Sequence, residues 1–200
     1  MSVRQTTMGR PREFDADEAL DEAMLVFWRK GYLGASLTDL TDAMGINRPS
    51  LYATFGNKES LFRKALDRYS EDRANYIHEA VTQPTAREVA RFLLRSTVQL
   101  ITNSTNPRGC LWVQGMLSCG DPADPLRKEL AARRNINENA LRKRFQQAIA
   151  DHDLPPDADP AALARFVTTM ACGLAVQAAA GSTRAQLLLV IDTALQGWPK

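Results

Sequence analysis

The sequence contains few of the residue types on which extracellular proteins and most enzymes depend. It has only three cysteines and two histidines in 200 residues. The cysteines, Cys110, Cys119 and Cys172, are odd in number and lack CxxC spacing, which predicts reduced thiols in a cytoplasmic protein. His78 and His152 are isolated, and neither a Gly-rich phosphate loop nor a nucleophile elbow accompanies them. The sequence therefore predicts no enzyme, no cofactor and no metal site, with a helical enzyme that uses carboxylates as an open alternative.

Long apolar runs are missing as well. No run approaches the roughly 18 residues that a membrane span needs. The cations of the N-terminal MSVRQTTMGRPREFD are not followed by an apolar segment, as they would be in a secretory signal. The hydrophobic fraction of 44% and the charged fraction of 24% are typical of soluble globular proteins. We therefore expect a cytoplasmic protein with no membrane partner.

The alternation of period two that marks half-buried strands is nearly absent, whereas helical spacing recurs throughout the chain. Capping residues and glycines divide the first third into four helices, with N-caps at Asp15, Ser36, Asn47 and Asn57 and stops at Gly31, Gly45 and Gly56. Five further helices are predicted over about 85–102, 110–118, 126–152, 161–180 and 183–198. The sequence thus predicts an all-α protein of about nine helices.

The second and third predicted helices are short and are joined by Met44-Gly45-Ile46-Asn47. This spacing, over residues 36–55, is that of a helix-turn-helix, whose second helix enters the DNA major groove. A turn in an ordinary helical bundle would give the same spacing. The side-chain chemistry favours DNA, because Arg48 can donate to a guanine edge or a phosphate. Hydroxyl donors and a further cation, groups that commonly bind phosphate, follow at Ser50, Tyr52, Thr54 and Lys58.

A helix of barely two turns cannot hold its position by intrinsic propensity. The third helix has an N-cap in Asn47 and a preset first turn in Pro49. Leu51 and Phe55 are four residues apart and can both face inward. These residues predict a short helix fixed to its neighbours, with its polar side chains free to reach DNA.

Residues 10–66 resemble the DNA-binding domain of TetR-family transcriptional regulators. The matching residues are Gly31-Tyr32, Ser36-Leu37, Ala43-Met44-Gly45-Ile46, Leu51-Tyr52, Phe55 and Lys58-Glu59. The resemblance implies a DNA-binding domain at 10–70 and a ligand-binding and dimerisation domain at 71–200. It implies a DNA contact surface made of Thr38, Asn47, Arg48, Pro49, Ser50, Tyr52, Thr54 and Lys58. At Ala53-Thr54 the chain departs from the aromatic residue and His of many members, and Thr54 replaces that His only partly.

Two further segments extend the resemblance. Gly9-Arg10-Pro11-Arg12 and Arg108-Gly109-Cys110-Leu111 resemble a branch of the family related to AcrR and ComR. Residues 1–12 carry three arginines and no acid, so this arm either contacts DNA or is a disordered tail. The ComR likeness implies copper, which leaves a redox- or metal-responsive regulator acting through Cys110 as an alternative. Cys119 lies nine residues on, about 13 Å along a continuous helix, so the two thiols could not share one ion or form a disulfide there.

The resemblance implies that the second domain forms a homodimer and binds a small molecule. The last two predicted helices support an interface, because Phe166, Val176 and residues 187–191 give them more than one apolar face. A buried monomer core would leave the same pattern. The predicted pocket residues are Phe92, Val98, Cys110, Trp112, Met116, Arg134, Asn137, Phe145 and Met170. Plain core is the default interpretation of the apolar ones, and an apolar stripe that drifts around the helix is the simpler explanation of Arg134 and Asn137.

These observations predict a dimeric regulator that binds a double-stranded DNA operator. The resemblance to the TetR family implies repression and release by a small apolar or aromatic effector. We expect the helix at 110–118 to move on effector binding, since Gly115 and the breaks beside it suggest few local constraints.

Overall fold

The computed structural model describes residues 14–118 and 125–199, except for the side chains of residues 72–75 and 118. All regular structure in that part of the chain is helical, which confirms the all-α prediction. The helices are α1 (Ala16–Gly34), α2 (Leu37–Met44), α3 (Arg48–Phe55), α4 (Lys58–Val81), α5 (Ala86–Ile101), α6 (Leu111–Ser118), α7 (Pro125–Ala150), α8 (Pro160–Ala179) and α9 (Arg184–Ala194), followed by a 3-10 turn at Leu195–Gly197.

The predicted N-caps are confirmed. Asp15 accepts the backbone N–H groups of Asp17 at 2.8 Å and Glu18 at 3.2 Å. Ser36 and Asp39 form a reciprocal capping box, in which each side chain accepts the other's backbone N–H at 3.0 Å. These contacts satisfy N–H groups that have no partner within the helix, so the first two helices begin where the sequence predicts.

One predicted helix end needs correction. Gly31 has φ 69° and ψ 174° and therefore interrupts the helical geometry, but α1 resumes and runs to Gly34. The backbone N–H of Ala35 donates to the carbonyl of Gly31 at 3.2 Å and closes this last turn. A glycine tolerates the positive φ without strain, so the chain kinks at Gly31 rather than leaving the helix there.

The buried side chains form two hydrophobic clusters. The N-terminal cluster joins α1, α2, α3 and the first part of α4, and it also takes in Leu111 of α6 with Leu126 and Leu130 of α7. The C-terminal cluster joins α5, α7, α8 and α9 with the end of α4. Because α4 is continuous across residue 70, it belongs to both clusters. The domain division at residue 70 remains a prediction, and α4 is the element that links its two sides.

The helix α6 has several tertiary contacts, which corrects the expectation of few local constraints, while its movement on effector binding stays a prediction. The backbone N–H of the buried Leu111 donates to the Tyr69 hydroxyl at 2.9 Å. A Cβ atom added at Gly115 would lie 3.0 Å from the Phe62 ring, so glycine here permits close packing on α4 rather than mobility. The residues of α6 therefore tie the C-terminal part of the chain to the N-terminal cluster.

The helix α8 is the one described helix that is long and apolar enough to cross a bilayer, by length and composition alone. It packs against α5 and α7 through Ala164, Val167 and Leu174, which are buried. Only 28% of its apolar stretch is buried within the protomer. Apolar surface thus remains uncovered on this helix.

Candidate DNA interface and effector cavity

The helix α3 is anchored as the sequence predicts. The Asn47 side chain accepts the backbone N–H of Ser50 at 2.8 Å, and Pro49 lies in the first turn. Leu51 and Phe55 are buried in the N-terminal cluster. Burial of both side chains fixes the rotation of the helix about its axis, so the same polar face always points away from the core.

The outward face of α3 carries Arg48 and Tyr52, and the Tyr52 ring is 49% exposed. The guanidinium of Arg48 donates to the hydroxyl of Thr38, on α2, at 3.0 Å. This hydrogen bond orients the side chain and joins the two helices of the motif across their turn. Sequence reasoning named both residues but gave no sign of the bond between them.

The ammonium group of Lys58 lies at the start of α4, 4.8 Å from the centre of the Tyr32 ring. Burial lowers the pKa of Lys58, and the negative charge of Asp39 opposes that effect. The Asn57 side chain caps the same helix by accepting the backbone N–H of Ser60 at 2.8 Å. The Tyr32 ring, which sequence reasoning did not assign to the site, thus positions the lysine beside a helix N-terminus.

A second cation accompanies this group. Lys30 donates to Asp39 at 2.6 Å, and hydrogen bonds from Lys30 and from the backbone and hydroxyl of Ser36 lower the pKa of Asp39 to about 2. The carboxylate is therefore ionised at neutral pH and already paired. It pairs with Lys30, and Arg48 and Lys58 are the further cations of the α2–α3 side.

The predicted DNA-binding residues fall into two groups by exposure. Exposed residues are Thr38, Asn47, Arg48, Pro49 and Tyr52, and half-buried residues are Ser50, Thr54 and Lys58. The arginines of the predicted N-terminal arm lie outside the described residues. The hydrogen bond between Thr38 and Arg48 joins α2 to α3, and the caps at Asn47 and Asn57 fix the starts of α3 and α4.

A cavity of about 640 Å³ lies among α4, α5, α6, α7 and α8. Five of the predicted pocket residues line it, namely Cys110, Trp112, Met116, Arg134 and Asn137. Residues that sequence reasoning missed include Ser70, Tyr76, Thr97, Arg133 and Cys172. The walls are mostly apolar, and the volume suits a small organic molecule.

The other four predicted pocket residues do not line this cavity. Val98 and Phe145 are fully buried in the C-terminal cluster, where Phe145 meets Trp198 edge to face with ring centres 5.6 Å apart. Phe92 and Met170 pack against the outside of that cluster. Their apolar surface serves the core, so we correct the expectation that they contact an effector there.

Hydrogen bonds join the cavity wall to α4. The Trp112 indole donates to the Ser70 hydroxyl at 3.2 Å, and Ser70 donates to the backbone carbonyl of Leu66 at 2.6 Å. The Tyr69 hydroxyl donates to the Cys110 thiol sulfur at 3.2 Å. The bonds from Trp112 to Ser70 and from Tyr69 to Cys110 hold the start of α6 against α4, the helix that carries Lys58 at its other end.

Ion pairs join α7 to α4 beside the same wall. The Arg63 guanidinium donates to Glu129 at 2.6 Å, and this hydrogen bond lowers the pKa of the Glu129 carboxyl. Arg133 donates to Glu129 at 2.8 Å and also pairs with Asp67. These side chains are partly solvated, so each pair contributes little by itself, but the connected network aligns the two helices.

Two family matches cover most of the chain. Residues 19–65 match the bacterial regulatory proteins of the tetR family, and residues 87–191 match the tetracyclin repressor-like C-terminal domain. The first segment contains α2 and α3, and the second contains α6, α7, α8 and all but the first residue of α5.

Individual proteins extend the likeness over nearly the full length. The chain is 34% identical to the HTH-type transcriptional repressor ComR of Escherichia coli K12, over 96% of this chain and 92% of ComR. It is 29% identical to the repressor BdcR of the same organism, over 90% of this chain and 86% of BdcR.

A solved structure of a cysteine mutant of the TetR family regulator CifR with 26-bp double-strand operator DNA is 45% identical, with a TM-score of 0.89. The match covers 96% of this chain and all of that chain. The exposed α3 side chains and these matches lead to one conclusion: the chain belongs to the TetR family of bacterial transcriptional regulators and is not an enzyme.

Proposed function

We propose that the protein is a sequence-specific repressor that binds a pseudo-palindromic operator as a homodimer and leaves it when a small apolar molecule occupies the cavity. The names of ComR and BdcR as repressors, and of CifR as a complex with operator DNA, support this proposal. Arg48 and Tyr52 supply the outward chemistry of α3, and Lys58 supplies a phosphate contact at the start of α4. We place the protein in the cytoplasm, where its DNA is.

The observation that carries the proposal is the double role of α6. Trp112, Val113 and Met116 line the cavity, whereas Leu111 is buried in the N-terminal cluster and Gly115 meets Phe62 of that cluster. In this proposal a molecule that shifts α6 as a unit also moves the second set of side chains. This shared helix is what couples the cavity to the DNA-facing helices.

An effector changes DNA affinity only if it binds one arrangement of the protein better than another. In this proposal the operator-bound arrangement keeps α6 docked through Tyr69 and Ser70. The effector favours an arrangement in which the end of α4 near the cavity shifts, which tilts α3 and changes the separation of the two reading helices. Coupling of about 1–3 kcal/mol is typical of such linked sites.

The dimer face in this proposal is formed by α8 and α9. Exposed apolar side chains on these helices are Phe166, Val176, Leu189 and Val190. A Cβ atom added at Gly173 would meet nothing within 4 Å, so the small residue leaves α8 open to close approach by a partner helix. A charge at Leu174, by contrast, tests only folding, because that residue is buried within the protomer.

The test measures operator affinity and cavity occupation in the same protein. Compounds are screened for quenching of Trp112 fluorescence, with Trp112→Phe as the blank, because Trp28 and Trp198 are buried away from the cavity. We expect quenching compounds to weaken operator binding. Met116→Trp, which fills the cavity, should reduce the effect of these compounds while retaining operator affinity. Compounds that quench Trp112 and leave operator binding unchanged would contradict the proposal.

A thiol-responsive regulator is a second candidate, because the Cys110 sulfur lies on the cavity wall and accepts the Tyr69 hydroxyl. A thiol-responsive regulator predicts that hydroperoxide no longer releases operator DNA from Cys110→Ser. It also predicts that apolar compounds do not release operator DNA from the untreated wild type. Effector-driven release predicts instead that apolar compounds still release operator DNA from Cys110→Ser.

A further inference from the structure

The described part of the cavity wall carries positive but no negative charge. Arg133 and Arg134 line the cavity, and no Asp or Glu occurs among its described lining residues. The carboxylates Glu129 and Glu138, which form ion pairs with these arginines, are not among the lining residues. A mostly apolar cavity whose described charged side chains are arginines favours a molecule that carries a negative charge.

Arg133 is already committed to the protein. Its guanidinium pairs with Glu129 and Asp67, and it lies 5.9 Å from the centre of the Trp112 ring. A bound anion would have to compete with both carboxylates for this side chain. Arg133 therefore shapes the wall and fixes Trp112 rather than serving as the main contact for an anion.

Arg134 is held far less tightly. Its contact with the Glu138 carboxylate is 4.0 Å, which is beyond hydrogen-bonding distance. Glu138 is engaged instead by Arg165 at 3.0 Å and by the Thr168 hydroxyl at 3.3 Å. The Arg134 side chain is 42% exposed and lines the cavity, so its guanidinium is open both to the cavity and to solvent. Its donors can thus receive a carboxylate without first breaking a close ion pair.

The charge of Arg134 also acts inside the cavity. Burial raises the pKa of the Cys172 thiol, and the positive charge of Arg134 opposes that rise. Cys172 and Arg134 line the same space from α8 and α7. The electrostatic effect of the guanidinium therefore reaches a second residue of the cavity lining.

We propose that the effector is a small organic monoanion whose carboxylate pairs with Arg134 while its apolar body lies against Trp112 and Met116. The inference rests on the proposed function, since it assigns a chemical class to the ligand of the same cavity. Arginine suits this role because its planar guanidinium can donate two parallel hydrogen bonds to one carboxylate. The apolar body supplies most of the affinity, and the charge selects among molecules of similar shape.

The experiment compares matched probes that differ in one group. Pyrenebutanoate and naphthoate are each titrated against their own primary amides by calorimetry, with wild-type protein at low and at high salt. We expect each carboxylate to bind about ten- to a hundredfold more tightly than its amide, the range for a hydrogen bond to a charged group. Arg134→Gln should remove this preference without weakening the amides. Arg134→Lys should retain part of it.

Two controls locate the effect. Arg142→Gln removes one positive charge from the exposed surface of the same helix without altering the cavity lining, and it should leave both affinities unchanged. Met116→Trp should weaken carboxylate and amide alike. Higher salt should weaken binding of the carboxylate but not of the amide, because the guanidinium is partly solvated and its charge is screened.

Equal binding of acid and amide to the wild type would overturn the inference. So would a loss of both on Arg134→Gln, or failure of every carboxylate to bind. Operator affinity is measured on the same samples without probe. Protein that binds its operator but shows no preference for the acids refutes the anionic effector alone, whereas protein that prefers the acids but binds no DNA specifically refutes the proposed function alone.

Discussion

The hydroxyl of Tyr69 accepts the backbone N–H of Leu111 at 2.9 Å, and so α4 caps the first turn of α6. The same hydroxyl donates to the Cys110 sulfur at 3.2 Å. On its other side, the Tyr69 ring meets Trp28 of α1 edge to face, with ring centres 4.8 Å apart. One side chain thus contacts the cavity wall, the start of α6 and the core of the DNA-binding helices.

Replacing this hydroxyl tests its structural role. Tyr69→Phe leaves the buried N–H of Leu111 without its acceptor, so we expect a loss of about 1–3 kcal/mol in the free energy of unfolding. Urea denaturation followed by circular dichroism measures the change. Tyr52→Phe removes the same atom from an exposed ring and should have no effect on stability. Equal stability of both variants would show that the contact at Leu111 does not stabilise the fold.

The close approach at Gly115 gives a second prediction. Gly115→Ala adds a Cβ atom 3.0 Å from the Phe62 ring. This ring is fully buried and meets the Phe27 ring edge to face, with ring centres 4.9 Å apart. Because the ring has little room to move, we expect the overpacking cost of about 1–3 kcal/mol to exceed the helix-propensity gain of about 1 kcal/mol.

Thermal unfolding measures this balance. The control is Gly34→Ala, whose added Cβ would meet the Lys30 Cβ at an ordinary 3.6 Å. A Gly115→Ala protein that is as stable as the control variant would show that α6 can shift without cost.

The sequence predicted the DNA-binding part of the fold better than the cavity, for a physical reason. Caps such as Asp15 and Asn47 act within three residues of the helix start, so local sequence is sufficient to place them. Cavity lining depends on how helices from distant segments pack. Thr97 lines the cavity, whereas the adjacent Val98 is buried in the core. Neither residue type predicts this difference.

The expectation of few constraints on residues 110–118 failed for a related reason. A glycine between two chain breaks suggests mobility when only its neighbours in sequence are considered. In the fold, Gly115 contacts Phe62, which lies 53 positions earlier in the chain. That contact comes from tertiary packing, which periodicity and capping rules do not encode.

The bond between Arg48 and Thr38 predicts how the interface reads DNA. Arg48→Ala should weaken operator binding and, if the guanidinium contacts a guanine, relax the preference at one position by about 1–3 kcal/mol. Thr38→Val keeps the arginine but removes the hydroxyl that accepts its hydrogen bond and orients it. We therefore expect a smaller loss of base preference at the same position. Binding to a panel of single-base operator variants measures both. A uniform loss across the panel would mean that Arg48 contacts only the backbone.

Lys58 should contact phosphate and not bases. Lys58→Ala should weaken binding to all sequences alike and lower the slope of log affinity against log salt by about one unit. Lys143→Ala removes the same charge from the exposed face of α7 and should leave the slope unchanged. Equal slopes for the two variants would remove Lys58 from the interface.

The exposed leucines offer a matched test of assembly. Leu189, on α9, is 67% exposed and Leu33, on α1, is 63% exposed. Leu189→Lys should dissociate the dimer at micromolar concentration with the helical content retained, because a charge is then buried in the proposed interface. Leu33→Lys should leave the dimer intact. Analytical ultracentrifugation distinguishes the two, and a monomeric wild type with full operator affinity would contradict the dimer altogether.

Footprinting of the purified wild-type protein on DNA fragments from its own genome tests specific operator recognition most directly. We predict protection of a pseudo-palindromic site whose two half-sites are contacted symmetrically, with protection lost in Arg48→Ala. Equal affinity for unrelated sequences at physiological salt, with no protected site, would contradict the account.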